Sequence, residues 1–204
     1  ATRPMTDDEL VTMVQEAAFR YYWDGAHPDA GLALENIPGD PNVVAVGASG
    51  IGLMALVAGI DRGFVSREEG IARMEKILDF LEKADRFHGA WPHFLDGRTG
   101  ETMPIFGPLD NGGDLVETAF LVQGLLAARQ FFRDDGVAGR AISDRITALW
   151  EGVEWDGSRR EPDADVLYWH WSPDHDWVLG HPLIGWNETM IVYLLAVASP
   201  THPV

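Results

Sequence analysis

The chain has 204 residues, with 15 Lys and Arg against 32 Asp and Glu, and its formal net charge at pH 7 is −17. A surface this acidic repels phosphate, which excludes general nucleic-acid binding and disfavours anionic membranes. The 46% hydrophobic content can form a core, and the absence of cysteine excludes disulfide scaffolds, zinc ribbons and thiol nucleophiles. No uninterrupted apolar run of about 18 residues occurs, so no transmembrane span is predicted.

The first half of the chain alternates between two kinds of helix. A capping box at residues 6–9 (TDDE) begins an amphipathic helix that runs to about residue 23. Residues 46–60 follow a Gly- and Pro-rich loop and form a helix that is apolar almost all round. A second capping box at residues 66–69 (SREE) opens another amphipathic helix, which extends to about residue 86.

The second half repeats this order. It contains an apolar helix at residues 114–132, an amphipathic one at about 138–155, a short strand at 166–171 and an apolar helix from about 187 to 198. An amphipathic helix lies at a surface, whereas a helix that is apolar all round is enclosed. The alternation therefore predicts three outer–inner hairpins of an α/α toroid in one domain, with an irregular helical bundle as the alternative.

Each inner helix is preceded by a loop rich in glycine and polar residues. These junctions are residues 47–50 (GASG), 110–114 (DNGGD) and 185–188 (GWNE). In an array of alternating hairpins, the N-termini of the inner helices all emerge on one face. We therefore expect the functional site at that end of the toroid.

Three acids surround the second of these junctions. Asp114 and Glu117 lie three residues apart in one helical turn and share a face, where the helix dipole favours negative charge. Glu117 lies in an apolar run, and a buried acid requires a partner or a function. Asp110 and Asp114 are explained as well by structure as by function, since Asp is a common N-cap residue.

A fourth acid, Glu188, opens the last helix beside Trp186. Burial against that indole would raise the pKa of Glu188, as a general acid requires, while the structural alternative is a first-turn Glu favoured by the helix dipole. Inverting glycoside hydrolases hold acid and base about 6.5–9.5 Å apart, on opposite sides of the sugar. Asp114 and Glu117, about 5–6 Å apart at Cβ, suit opposite sides poorly, so Glu188 is the better partner across a cleft.

The chain contains eight Trp residues, most of them in its second half among His and Asp. The candidates for contact with a sugar are Trp91, His93, Trp169, Trp171, Trp186 and Asn187. Packing of the Trp side chains into the rim of the toroid is the alternative. Residues 168–177 include metal-binding residue types but lack a known ligand spacing, so we predict neither a metal nor a cofactor.

Six motifs follow one another in the order seen in one known family. They are residues 46–56 (VGASGIGLMAL), 87–93 (FHGAWPH), 111–120 (NGGDLVETAF), 167–173 (LYWHWSP), 185–188 (GWNE) and 199–203 (SPTHP). From about residue 19 to residue 204 the chain resembles the glycoamylase-like domain family, which includes the bacterial endo-β-1,2-glucanases of glycoside hydrolase family 144. The first motif differs mildly from the family pattern at residues 48–49, where this chain has Ala-Ser and relatives usually have Gly-Thr.

The resemblance implies a twelve-helix (α/α)6 toroid that hydrolyses β-1,2-glucan with anomeric inversion, often in the bacterial periplasm or outside the cell. The family's functional acids correspond to Asp110, Asp114, Glu117 and Glu188. Glu188 is the expected general acid, and Asp114 or Glu117 is the expected base, acting on water directly or through a substrate hydroxyl. The family's domain continues for about as long again. Residues 1–204 are therefore expected to be its N-terminal half, completed by a companion segment or chain.

Two alternatives to a hydrolase remain. One is a glucan-binding or accessory domain without turnover, and the other is an inactive fragment that needs its second half. Three hairpins leave apolar flanks open on the inner helices, so the chain alone should aggregate or require a partner.

Overall fold

A computed structural model describes residues 3–161 and 163–204, which are all-α apart from short strands, as predicted. The helices are α1 (Asp7–Trp23), α2 (Val46–Asp61), α3 (Arg67–Leu81), α4 (Leu115–Phe132), α5 (Gly136–Glu151) and α6 (Met190–Ala198), with a 3₁₀ turn at Asp156–Ser158. The strands are β1 (Val43–Ala45), β2 (Phe94–Asp96), β3 (Gly113–Asp114) and β4 (His170–Trp171). None of the described helices is long and apolar enough to span a membrane.

The apolar helices form an inner layer, in which α4 packs against both α2 and α6. The amphipathic helices lie outside, where α1 contacts α2, and α3 contacts α5. The backbones of α2 and α4 touch at Gly50 and Gly124, because a Cβ atom at Gly124 would collide with the Gly50 carbonyl group. These three outer–inner hairpins confirm the predicted arc of an (α/α)6 toroid.

One continuous core joins the two layers, but the inner layer is open at both sides. Ile51 on α2 is exposed, and so are Leu194 and Val197 on α6. Because these residues belong to helices that are otherwise enclosed, they mark the open apolar flanks that the sequence predicts.

The apolar stripe of α1 lies in solvent, which differs from the expectation for an amphipathic helix. Leu10, Met13 and Val14 are exposed, whereas Phe19 is buried. The helix meets α2 through Phe19 and Tyr22, both in its C-terminal half. Its earlier turns therefore have little of the described chain to pack against.

The third and fifth helices end earlier than their sequence patterns predict, at Leu81 and Glu151 rather than near residues 86 and 155. Beyond α3, the Asp85 carboxylate accepts hydrogen bonds from the backbone N–H and the hydroxyl of Thr102, at 2.8 and 2.9 Å. This contact holds the segment just after the helix against the loop that follows β2.

The last helix begins at Met190, three residues later than predicted. The Asn187 side-chain oxygen accepts hydrogen bonds from the backbone N–H and the hydroxyl of Thr189, at 3.0 and 2.6 Å. Residues 187–189 therefore form a turn stabilised by the Asn side chain and not a first helical turn. The predicted strand at residues 166–171 is likewise shorter, since only His170–Trp171 is a strand.

Two short antiparallel strand pairs fix the loops around the inner helices. β1 pairs with β2, with Ala45 opposite Phe94, and β3 pairs with β4, with Asp114 opposite His170. Because α2 follows β1 directly and α4 follows β3 directly, each pair holds a helix N-terminus beside a loop that carries histidine and tryptophan.

Candidate active site

A cleft with a volume of about 580 Å³ opens at the N-terminus of α4. Its polar lining consists of His93, Asp110, Asp114, Trp169, His170 and His181. The cleft therefore brings together two of the four predicted acids, one predicted histidine and one predicted tryptophan.

Asp114 lies at the centre of this cluster and is only 2% exposed. Its Oδ1 accepts the backbone N–H groups of Val116 and Glu117 at 3.0 and 2.9 Å, which caps α4. Its Oδ2 accepts the indole N–H of Trp169 at 2.9 Å and lies 3.1 Å from Nδ1 of His93. A carboxylate has about four acceptor positions, so protein groups occupy all of those on Asp114.

Glu117 joins the N-termini of two inner helices. Its Oε2 accepts the Gly47 N–H of α2 at 2.9 Å, and its Oε1 lies 3.9 Å from Nε2 of His93. Burial raises the pKa of Glu117, and the negative charge of Asp114 adds to this rise while His93 opposes it. The expected convergence of helix N-termini is confirmed for α2 and α4.

His93 connects the two acids. Because the Asp114 carboxylate can only accept, Nδ1 of His93 must carry the proton between them, which leaves Nε2 facing Glu117. Burial lowers the pKa of His93, but the hydrogen bond and charge of Asp114, with the charges of Glu117 and Asp110, outweigh it and raise the pKa overall. Asp114 thus orients the imidazole of His93, and the second ring nitrogen faces Glu117.

Asp110 forms a second acid–histidine pair with His170. Its Oδ1 lies 3.5 Å from Nε2 of His170, and that nitrogen also faces the Gly112 N–H at 3.2 Å. Asp110 Oδ2 and His170 Nδ1 are buried without a hydrogen-bond partner among the described residues. Burial raises the pKa of Asp110 to about 6, with His93 opposing the rise and Asp114 adding to it. Asp110 is therefore protonated more easily than an exposed aspartate.

The structure does not bring Glu188 into this cluster. Glu188 and Asn187 are exposed, Trp186 is 89% exposed, and none of the three lines the cleft. The expected burial of Glu188 against Trp186 is therefore corrected, because both residues lie in the loop and turn before α6 and not in its packed first turn. The role of Glu188 as general acid stays a prediction.

Two of the tryptophans predicted to contact sugar point elsewhere. Trp91 has no exposed surface and packs against the guanidinium of Arg86, whose centre lies 4.2 Å from the ring. Trp171 packs against His88 with ring centroids 4.6 Å apart. Neighbouring side chains on a strand face opposite ways, so His170 faces the cleft while Trp171 faces away from it. Trp169 alone keeps the predicted position.

Sequence reasoning did not select His170, His181 or Phe106, which also line the cleft. His170 lies between two tryptophans in the motif LYWHWSP, and alternation along a strand would place Trp169 on the same side as Trp171, so this pattern could not have predicted that Trp169 and His170 both line the cleft. Phe106 lies in the Pro- and Gly-rich segment PIFGP, where an aromatic residue has no helical or strand partner. Among the residues that the structure describes, no three His, Asp or Glu side chains are grouped to hold a metal ion.

Comparison with known proteins places this chain among longer relatives. No protein-family profile matches it. It is 60% identical over 201 residues to a Parabacteroides distasonis protein named exo β-1,2-glucooligosaccharide sophorohydrolase (non-reducing end), and the match covers 98% of this chain and 28% of that protein.

Two solved structures share the fold. A β-1,2-glucanase from Parabacteroides distasonis has 59% identity and a TM-score of 0.97, over 100% of this chain and 29% of that one. An endo-β-1,2-glucanase from Chitinophaga pinensis, solved with sophorotriose and glucose, has 50% identity and a TM-score of 0.94, over 98% of this chain and 49% of that one. The chain thus spans about half of the Chitinophaga structure and under a third of the Parabacteroides proteins. These identities and superpositions confirm the resemblance to the glycoamylase-like domain family that the six motifs indicate.

Proposed function

We propose that this chain carries part of the active site of a glycoside hydrolase that cleaves β-1,2-linked glucan. The observation that carries the proposal is the cluster of buried Asp114 with half-buried Asp110, Glu117 and His93, of which all but Glu117 line one cleft. Acids in different environments are what acid–base cleavage of a glycosidic bond requires. The relatives named as β-1,2-glucan hydrolases match almost the whole chain at 50–60% identity, which supports the same substrate class.

The hydrogen bonds favour different roles for the acids. Asp114 accepts four protein donors and is suited to hold His93 and Trp169 in place, whereas the Oε1 atom of Glu117 has no direct hydrogen bond within the described chain. We therefore assign the base to Glu117, acting on water directly or through a substrate hydroxyl. Glu188 is the proposed general acid, reaching the sugar from the loop before α6, and the reaction inverts the anomeric carbon.

The experiment is hydrolysis of linear β-1,2-glucan by the chain combined with the part of the Chitinophaga enzyme that it does not cover, followed by polarimetry and product chromatography. Glu188→Gln and Glu117→Gln should each lower the rate by about 10²-fold or more, because acid–base catalysis typically contributes that much. Glu68→Gln, an exposed glutamate on the outer helix α3, is the matched control and should leave the rate unchanged. A Glu188→Gln protein that releases the same products at the wild-type rate would show that the acid is assigned wrongly.

The pattern of cleavage is a separate part of the proposal. One relative is named as an exo-acting sophorohydrolase and another as an endo-glucanase. We propose endo cleavage for this protein, which should release oligosaccharides of several lengths early in the reaction. Release of sophorose alone would instead indicate exo cleavage.

We further propose that residues 1–204 are the N-terminal half of the domain and that a companion segment or chain completes it. The exposed Ile51, Leu194 and Val197 and the half-length match to the Chitinophaga structure support this. The chain should aggregate alone, or become active when mixed with the part of the Chitinophaga enzyme that it does not cover. A stable, soluble monomer in size-exclusion chromatography would contradict it.

Glucan binding without turnover is the alternative function, favoured by the exposure of Glu188. It predicts that Asp114→Asn leaves the glucan affinity unchanged and that no condition yields products. The proposed location is the periplasm or the cell exterior, as the resemblance implies, and fractionation of the native host tests it.

A further inference from the structure

Phe106 is an exposed aromatic residue at the rim of the cleft. Its side chain is 70% exposed although it lines the same space as Asp110 and Asp114. Most large aromatic side chains are buried to a much greater extent. The fold thus leaves an aromatic face open beside the acids that the proposed reaction uses.

The loop that carries Phe106 is held by its own backbone. The Gly107 N–H donates to the Pro104 carbonyl at 3.1 Å, and the Asp110 N–H donates to the Gly107 carbonyl at 3.0 Å. Gly107 has φ = 120°, a conformation that glycine adopts readily and other residues rarely. The turn therefore fixes the position in space of the Phe106 ring relative to Asp110.

The ring is also supported by neighbours within the site. It is nearly perpendicular to the imidazole of His93, with centroids 4.9 Å apart, and it contacts Phe94 with centroids 5.3 Å apart. Perpendicular packing of this kind is a favoured aromatic geometry. Because His93 packs against the Phe106 ring and is hydrogen-bonded to Asp114, these contacts hold the ring in a defined position beside the acids.

The cleft is apolar on one side and acidic on the other. Leu109 and Leu179 line it together with Phe106, while Asp110, Asp114 and His93 line its polar part. A pyranose ring has apolar C–H faces and polar hydroxyl edges, so it matches both. A phosphate-bearing or other anionic ligand would instead be repelled by the acids.

We propose that Phe106 is a stacking platform that binds the C–H face of a glucose unit of the substrate, next to the acid cluster. The inference rests on the proposed function, since it names a further contact of the same site. The platform holds one sugar by shape while the acids bind the hydroxyls of that unit or its neighbour. Phe106 therefore contributes to substrate affinity and takes no part in proton transfer.

The test is calorimetric binding of β-1,2-glucooligosaccharides to the chain combined with the part of the Chitinophaga enzyme that it does not cover, because the proposed domain is complete only with both. Phe106→Ala should weaken binding about tenfold, which is the size of a favourable aromatic contact. Phe106→Trp keeps a flat ring and should retain affinity within about threefold, whereas Phe106→Leu keeps apolar volume without a flat face and should behave like the Ala variant. Ile105→Ala is the matched control, because Ile105 is a neighbouring exposed residue that does not line the cleft.

The outcomes separate the two proposals. Unchanged affinity in Phe106→Ala, beside clear binding by the unaltered chain, would overturn the platform and leave the proposed function intact. Equal losses in Phe106→Ala and Ile105→Ala would also overturn it, since the loop and not the ring would then matter. No binding by the unaltered chain in this combined protein would overturn the proposed function and this inference together. Equal thermal stability of all variants establishes that the effect is on binding.

Discussion

Replacement of Asp114 by Ala should destabilise the protein by about 4 kcal/mol. Loss of the cap of α4 contributes roughly 1 kcal/mol. The indole N–H of Trp169 and the Nδ1–H of His93 lose their acceptor, and each such buried donor costs about 1–3 kcal/mol. The value for His93 is at the lower end, because its side chain is 22% exposed and water can reach it.

The assay is urea unfolding of the chain combined with the part of the Chitinophaga enzyme that it does not cover, at one fixed protein concentration, with Ser66→Ala as the matched control. Ser66 caps α3 in the same way, through a side-chain oxygen that accepts a helix N–H, but it holds no buried side-chain donor. Its replacement should cost only about 1 kcal/mol. Asp114→Asn keeps one oxygen for the helix but turns an NH₂ group toward a donor, so its loss should lie between the two.

The comparison isolates the two buried donors. If Asp114→Ala lost no more stability than Ser66→Ala, then Asp114 would be an ordinary cap, and its assignment as the residue that holds Trp169 and His93 would be wrong. The same result would return Asp114 to the candidates for the base.

Three further predictions concern the same region. Nitrogen-15 NMR should find neutral His93 as the Nδ1–H tautomer, because Nδ1 donates to Asp114. Asp114→Ala should remove this preference. Observation of the Nε2–H tautomer in the unaltered protein would contradict the placement of the proton on Nδ1. Because burial raises the pKa of Asp110 to about 6, its protonated form stabilises the fold below about pH 4, and this stabilisation is lost as the pH rises through 6. The free energy of unfolding of Asp110→Asn should thus equal that of the wild type at pH 4 and exceed it by up to about 3 kcal/mol at pH 8. The same difference in free energy between variant and wild type at both pH values would refute this. Arg86 donates to two backbone carbonyls and covers Trp91, so Arg86→Met should cost roughly 2–4 kcal/mol in thermal or urea unfolding, and a loss under 0.5 kcal/mol would contradict that role.

Much of the architecture could be predicted from hydrophobic patterning. The two capping boxes and the alternation of amphipathic with apolar helices are local properties, and they correctly predicted three outer–inner hairpins. Patterning was less informative about α1, whose spaced apolar residues are exposed. An apolar stripe shows that a face can be buried, but only the neighbouring elements decide whether it is.

The sequence by itself also determined which acids precede or open the inner helices. This was possible because a helix cap depends only on residues close together in sequence, such as Asp114 and Glu117. It could not determine which aromatic side chains face the cleft. Trp91, Trp169 and Trp171 lie in similar motifs, yet one is in the core, one lines the cleft and one points away. Strand pairing and packing across the chain set these directions. They also decide that His93 and Trp169 complete the hydrogen bonding of Asp114, that no described group donates to Oε1 of Glu117 and that Glu188 lies in solvent, because each depends on groups distant in sequence.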